Sequence, residues 1–316
     1  MQCIPTFSLG SSLHSLRFAP VIPLRISNRI RISTVVMAAN RSAGRDVHIY
    51  NSNDSDTVLG GLILTNGVTN ANFYSMVEVF LFFDGEYVLR HEDGMVLQRN
   101  DEDLRRGSYF IVTDGTVTVN NKLWLVRTIS VASTRVAEFR EAVRQRDRKC
   151  VVSGEEAVDA EYGMWFGFEA AHIFPLAYQD HWDRNNYGRW ISIHPSTGGS
   201  INSVQNGLLL RSDIHGLFDN YVFSINPDNN YKVVCFRRDR KGIAGKHIDF
   251  ENDERRPAIQ LLRWHFRQAV LANMRGAGEP VFECDFPPGS DMMGEIMSGP
   301  MAAARMEFEL FSRLAV

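Results

Sequence analysis

Cysteine is scarce in this chain. Cys3, Cys150, Cys235 and Cys284 stand far apart and form no C-x-x-C pair. That spacing excludes a zinc ribbon and a disulfide-stapled secreted scaffold, and a reducing, intracellular setting is expected. No run of about 18 apolar residues occurs, so no transmembrane helix and no membrane partner is expected. Internal repeats are absent. Acidic residues are missing from the first 45 positions, which hold six arginines (17, 25, 29, 31, 41 and 45) and no lysine. With those six taken from the 34 basic residues, the remainder carries 28 basic and 37 acidic side chains, a net of −9. A body of that sign does not attract polyanions in general. Any nucleic-acid contact must come from a local patch or from a bound cation.

What is present fits a soluble globular protein, with 44% hydrophobic and 22% charged residues over 316 positions. The Arg- and Ser-containing start reads as a mitochondrial transit peptide over 1–36 or as a disordered leader. A third reading starts the chain at Met37, where "MAANRSAGRD" looks like an ordinary N-terminus. The nucleus or cytoplasm is the expected compartment, or the mitochondrion if a transit peptide is real. The fold class expected is α+β in four parts. These are a leader over 1–45, a β-rich domain over 46–130, a third domain over 131–245 and a helical extension over 246–316.

Residues 46–130 alternate Val, Ile, Phe and Leu runs with "NSND", "TNG" and "DG" turn signals, which predicts strands. Positions 73–83 are so apolar that periodicity leaves helix and strand both open. No catalytic constellation appears there, and packing or a protein partner is the expected role. Residues 132–149 predict a helix, with Ser133 or Thr134 as cap, acids early and bases late. "CVVSG" at 150–154 reads as a strand ending in a turn. "GFEAAHIFPLA" reads as a strand stopped by Pro175. Residues 180–200 form a polar, aromatic insertion whose Trp182 and Trp190 suit a core or lid. Ser212 is a plausible N-cap for a short helix over 213–219. "YVFSINPDNNYKVVCF" predicts a hairpin, and 255–275 and 301–315 predict amphipathic helices.

Four residues carry chemistry of interest. His172 sits in an apolar strand, where a buried, hydrogen-bonded histidine is the bland reading. His215 and Asp219 are four apart on one helical face, a spacing that suits a divalent cation or simply a solvated edge. Asn206 alone is a turn residue.

Taken in order, "EAAHIFPLA" and "NSVQNGLLLRSDIHGLFD" resemble the HNH endonuclease domain of the ββα-metal nucleases. They are similar to the branch with an AHI-x-P … NGLLL-x-x-x-H-x-x-FD pattern found in fungal and bacterial proteins of unknown role. The resemblance covers roughly a third of the chain, from Phe139 to Phe236. It implies that 131–245 is a nuclease domain cutting phosphodiester bonds of nucleic acid, DNA first, to a 5′-phosphate and a 3′-hydroxyl. It implies His172 as general base, Asn206 as the residue bracing and orienting it, and His215 and Asp219 as metal ligands. A single divalent ion is implied, Mg²⁺ first, with Mn²⁺, Ni²⁺ or Zn²⁺ as alternatives. Arg189 and Arg211 are the expected phosphate contacts.

Three departures stand out. Ala171 occupies the position where many members place an Asp or His ligand, and Glu169, three residues before the base, is expected on the strand's opposite face. The paired cysteines of many relatives are missing, with Cys150 as a remnant. Asp180–His181 offers a second acid–histidine pair, without the following Ile-x-Pro. A catalytically degenerate module that binds nucleic acid or protein is the alternative reading.

Overall fold

Apolar residues at alternate positions build the N-terminal strands, and apolar residues three and four apart build the helix that covers them. The computed structural model describes residues 41–120, 137–250 and 253–276, with the single positions Asp291, Met293, Gly294, Met297 and Met306. Several expectations lie outside those residues. They are the leader over 1–40, the Ser133 or Thr134 cap, the strand over 122–130 and the C-terminal helix over 301–315.

β1 (Val47–Asn51) and β2 (Asp54–Leu62) form a hairpin, followed by α1 (Asn70–Phe80) and β3 (Leu81–Phe83). The ambiguous stretch over 73–83 is thus helix first and strand last. Thr69 caps α1 reciprocally with Asn72, which satisfies two first-turn donors. β4 (Tyr87–His91), β5 (Gly107–Thr113) and β6 (Val117–Val119) follow. The main sheet runs β2-β1-β5-β4, with β1 parallel to β5, and β3 pairs with β6. Phe73, Tyr74, Val77 and Phe80 of α1 bury against Val47, Ile49, Leu89 and Ile111 of the sheet. Each such side chain contributes about 1.5–3 kcal/mol.

The second half begins with α2 (Ala137–Asp147). β7 (Phe168–His172) is antiparallel to β8 (Gly207–Arg211), pairing His172 with Gly207 and Glu169 with Leu210. Between them lies α3 (Gln179–Arg184), with short 3-10 turns on either side. β8 runs directly into α4 (Ser212–Asp219). Arg211, not Ser212, stands at the cap position of α4, and no side chain caps it. The chain enters the helix straight from a strand, so Ser212 is already its first helical residue. Residues 150–154 are a turn rather than a strand, closed by the Gly154 N–H on the Cys150 carbonyl at 2.8 Å. β9 (Phe223–Asn226) and β10 (Lys232–Cys235) form the expected hairpin. Asn230 and Tyr231 are left-handed at its turn.

The β7/β8 ribbon is packed on both faces, as strand alternation demands. Ala170 and Leu209 meet Phe139 and Val143 of α2. Ala171, Leu208 and Leu210 meet Ile214 and Phe218 of α4. Gly207 lets α2 approach, because a Cβ there would lie 2.5 Å from Val143 Cγ2. α5 (Ile259–Met274) completes both halves. Its Leu261 and Leu262 join the core around the ribbon, and its Phe266, Ala269 and Val270 join the core under the N-terminal sheet. Among the described residues no helix is long and apolar enough to cross a membrane.

Candidate active site

His215 lies on α4 with its side chain 7% exposed, held between two carboxylates. Its Nδ1 is 2.6 Å from Glu169 Oε2 on β7, and its Nε2 is 3.3 Å from Asp219 Oδ1 one turn along α4. Glu169 reaches it because Glu169 shares the strand face of Ala171, two residues on, and that face looks at α4. The three-residue offset from His172 does put Glu169 on the opposite face of β7, and that face is the one α4 covers. A carboxylate accepts only, so a proton on Nδ1 points at Glu169, and Nε2 faces Asp219 either as an imidazolium N–H or as a lone pair with a cation between them. Two acceptors at that distance need a positive charge between them, either an imidazolium proton or a cation.

The donor set fits a metal ion in part. His215 Nε2 and Asp219 Oδ1 offer nitrogen and oxygen ligands of the type a divalent ion accepts. Among the described residues no three His, Cys, Asp or Glu side chains converge as a complete cage. Water and substrate oxygens would have to supply the remaining positions, as in an open catalytic site. Glu169 would then orient the imidazole from behind, as carboxylates commonly do for metal-binding histidines.

His172 occupies the other face of the ribbon. It is buried, stacks on Phe139 at 3.9 Å and 11°, and places Nε2 3.3 Å from Asn202 Oδ1. Asn202 Nδ2 donates to the Gly198 carbonyl, which fixes the amide with its oxygen toward the histidine. Nε2 therefore donates to Asn202. Asn202 sits in a 3-10 turn far from His172 in sequence, and no local signal marks it. Asn206 is fully buried. Its Oδ1 accepts from Phe174 N at 2.8 Å, and its Nδ2 donates to the carbonyls of Ile201 and Phe174. The structure thus gathers Glu169, His215 and Asp219 on the α4 side, and His172 with Asn202 on the α2 side. Asn206 ties the two chain segments that frame them.

Of the two arginines, Arg189 is exposed, donates to the Asn185 carbonyl and lies 5.1 Å over the Trp190 ring. Arg211 is held by Glu155 and by Asp213, the latter at 3.0 Å, and Lys241 also binds Asp213 at 2.5 Å. A phosphate would have to compete with those carboxylates for Arg211. His181 of the second acid–histidine pair is half-buried on α3 among Phe174 and Tyr187, and burial lowers its pKa. Trp182 is in the core and bonds Ser200 Oγ at 3.0 Å. Cys150 is a buried free thiol that accepts from the Ser153 N–H at 3.4 Å.

Lys241, then Arg211, hold the Asp213 carboxyl at about 2, below its ordinary 3.8. A depressed folded value means the stabilisation is complete above the unfolded value and is lost as pH falls from about 4 through about 2. A carbon-13 carboxylate titration is expected to place Asp213 near 2 and to move it upward in Lys241→Ala. Titration near 3.8 in the unaltered protein would mean the pair does not form in solution.

Residues 150–226 match the family model described as HNH endonuclease, and residues 44–118 match one described as a domain of unknown function, DUF8573. No curated protein and no solved structure matches the chain. The segment over 150–226, which carries the ribbon, α4 and the His215 cluster, is therefore an HNH endonuclease-type domain.

Proposed function

We propose that this protein is a metal-dependent endonuclease that hydrolyses phosphodiester bonds of nucleic acid, with DNA as the first substrate to test. The observation that carries this reading is His215 clamped between Glu169 and Asp219 on the helix of the HNH motif. His215 and Asp219 would hold a divalent ion, Mg²⁺ first, with Mn²⁺, Ni²⁺ and Zn²⁺ as alternatives. When bound, such an ion supplies charge to stabilise the phosphorane and the leaving oxygen. His172 would take a proton from the attacking water, with Asn202 orienting its ring through Nε2. The new O–P bond leaves a 5′-phosphate, and the broken bond leaves a 3′-hydroxyl. The proposed setting is intracellular, nucleus or cytoplasm, where buried thiols such as Cys150 and Cys235 stay reduced. The proposed organisation assigns 131–245 to the nuclease and 46–130 to a supporting or partner-binding domain.

A second reading is a degenerate module that binds without cutting. It is favoured by the burial of His172 against Phe139, on the ribbon face opposite His215, and by the apolar core position of Ala171. Plasmid nicking with Mg²⁺, Mn²⁺ or Ni²⁺ separates the two. Cleavage by the unaltered protein that is lost in both His172→Ala and His215→Ala supports the enzyme. Equal background in all three supports the binding module. Glu169→Gln is expected to weaken metal binding, followed by calorimetry, by about tenfold to a hundredfold, because the orienting carboxylate is gone. Unchanged affinity would reduce Glu169 to a surface partner of His215.

A further inference from the structure

Glu138, in the first turn of α2, does more than offset the helix dipole. Its Oε1 accepts from Ser196 N at 2.9 Å and Ser196 Oγ at 2.7 Å. Its Oε2 accepts from Thr197 N at 3.2 Å and Thr197 Oγ1 at 3.1 Å. Two backbone amides and two hydroxyls thus converge on one carboxylate, and those bonds hold its pKa below the ordinary value. Hydrogen bonds to an ionised acceptor are roughly twice as strong as neutral ones. The clamp falls immediately before Gly198 and Gly199, both left-handed at φ 79° and 74°. Such a pair is the most permissive backbone in a loop, because neither residue has a Cβ to restrict it. Its carbonyls nonetheless have a definite task. Gly198 O accepts from Asn202 Nδ2, and Gly199 O accepts from Asn202 N at 3.0 Å. His172 Nε2 in turn donates to Asn202 Oδ1 at 3.3 Å.

The contacts therefore run from α2 to one edge of the imidazole. The next residue of α2, Phe139, meets the face of the same ring at 3.9 Å and 11°. Stacking fixes the plane of the ring, but a flip keeps that plane and exchanges the edges. The bond to Asn202 settles which nitrogen points where. We propose that Glu138 is a positioning residue for His172, acting through Ser196, Thr197 and the turn from Gly198 to Asn202 to hold the imidazole in one orientation. The catalytic meaning of this rests on the reading of His172 as general base, a role in which a misplacement of about 1 Å costs about a hundredfold in rate. The flanks of the loop are tied separately. Ser192 N and Ile193 N donate to Gln205 Oε1 at 2.8 and 3.0 Å, and Trp182 Nε1 donates to Ser200 Oγ at 3.0 Å. Loss of Glu138 is thus expected to free the segment between them and leave the rest folded.

Proton–nitrogen spectra of the histidine rings in the full chain test this. The buried Nε2–H of His172, assigned by its disappearance in His172→Phe, is expected to exchange slowly with water in the unaltered protein. Glu138→Ala and Asn202→Ala are each expected to lose that signal, with unchanged circular dichroism spectra. Glu138→Gln keeps one acceptor oxygen but turns an amide NH₂ toward the other pair of donors, and it is expected to fall between. If the unaltered protein nicks plasmid, Glu138→Ala is expected to lower kcat by about tenfold to a hundredfold with KM little changed. Adding it to Asn202→Ala is expected to lower kcat no further. A signal absent from the unaltered protein, or one that survives Glu138→Ala or Asn202→Ala, overturns the proposal and leaves Glu138 a loop tether. So does a kcat unchanged in Glu138→Ala, or a fully additive loss in the double variant. If the unaltered protein does not cut, the nuclease reading fails, and the ring signal alone decides whether Glu138 positions His172.

Discussion

Asn206→Ala is expected to lower the unfolding free energy by about 3–5 kcal/mol, read from urea denaturation. Asn206 is fully buried, and its side chain makes one bond as acceptor and two as donor. Alanine would strip the Phe174 N–H and the carbonyls of Phe174 and Ile201 of that partner in a site closed to water. Each buried group deprived of its partner costs about 1–3 kcal/mol. The substitution also leaves a small void, since alanine fills less of the space. Asn206→Asp is expected to do no better. It keeps the acceptor for Phe174 N–H but turns two donors into a charge facing two carbonyl oxygens. A loss under about 1 kcal/mol would mean that the loop after β7 is held by its backbone alone, as by the Ile173 N–H on the Asn206 carbonyl.

Arg146→Ala carries the second large effect, again about 3–5 kcal/mol. The Arg146 and Asp147 side chains are 4% and 5% exposed and form a two-pronged pair at 2.6 and 2.7 Å. Arg146 also donates to the carbonyls of Val204, Gly207 and Arg255, and Asp147 accepts from Leu209 N. The pair therefore clamps the start and the middle of β8 to the end of α2. Removing the guanidinium leaves a carboxylate buried without its counter-charge, which costs more than the pair contributes. The double variant Arg146→Ala/Asp147→Ala is expected to be less destabilised than the sum of the single changes. Simple additivity in urea melts would show that the two side chains act independently.

The parts of this fold that the sequence exposes are those set by local spacing. The α+β class, the β9/β10 hairpin and the four-residue step from His215 to Asp219 follow from short-range periodicity and turn chemistry. So does the α5 helix, although it begins at Ile259, after Pro257, rather than at Arg255. The losses come where distant segments meet. Asn202 touches His172 only because a 3-10 turn folds back under β7. Glu169 touches His215 because a β-ribbon and a helix share one face, which parity relative to Ala171 would have indicated. The "CVVSG" stretch is apolar enough for a strand, yet the Cys150 and Gly154 N–H groups close a turn on the Glu155 and Cys150 carbonyls, and Val151 N–H makes a single bond to Leu209 of β8. Ser212 has cap chemistry but enters the helix one residue too late to use it.

The double membership of α5 has a consequence for how the chain can be divided. Its first turns wall the ribbon core, and its last turns wall the N-terminal sheet. Asn273 near its end binds Arg41 and the Tyr221 carbonyl at once, and Lys232 of β10 reaches the Gly67 carbonyl beside α1. The two segments that match separate families therefore share a keystone. Excising either one strips half of the same helix to water, so neither is a detachable cassette, and a swap between relatives must carry α5 with it.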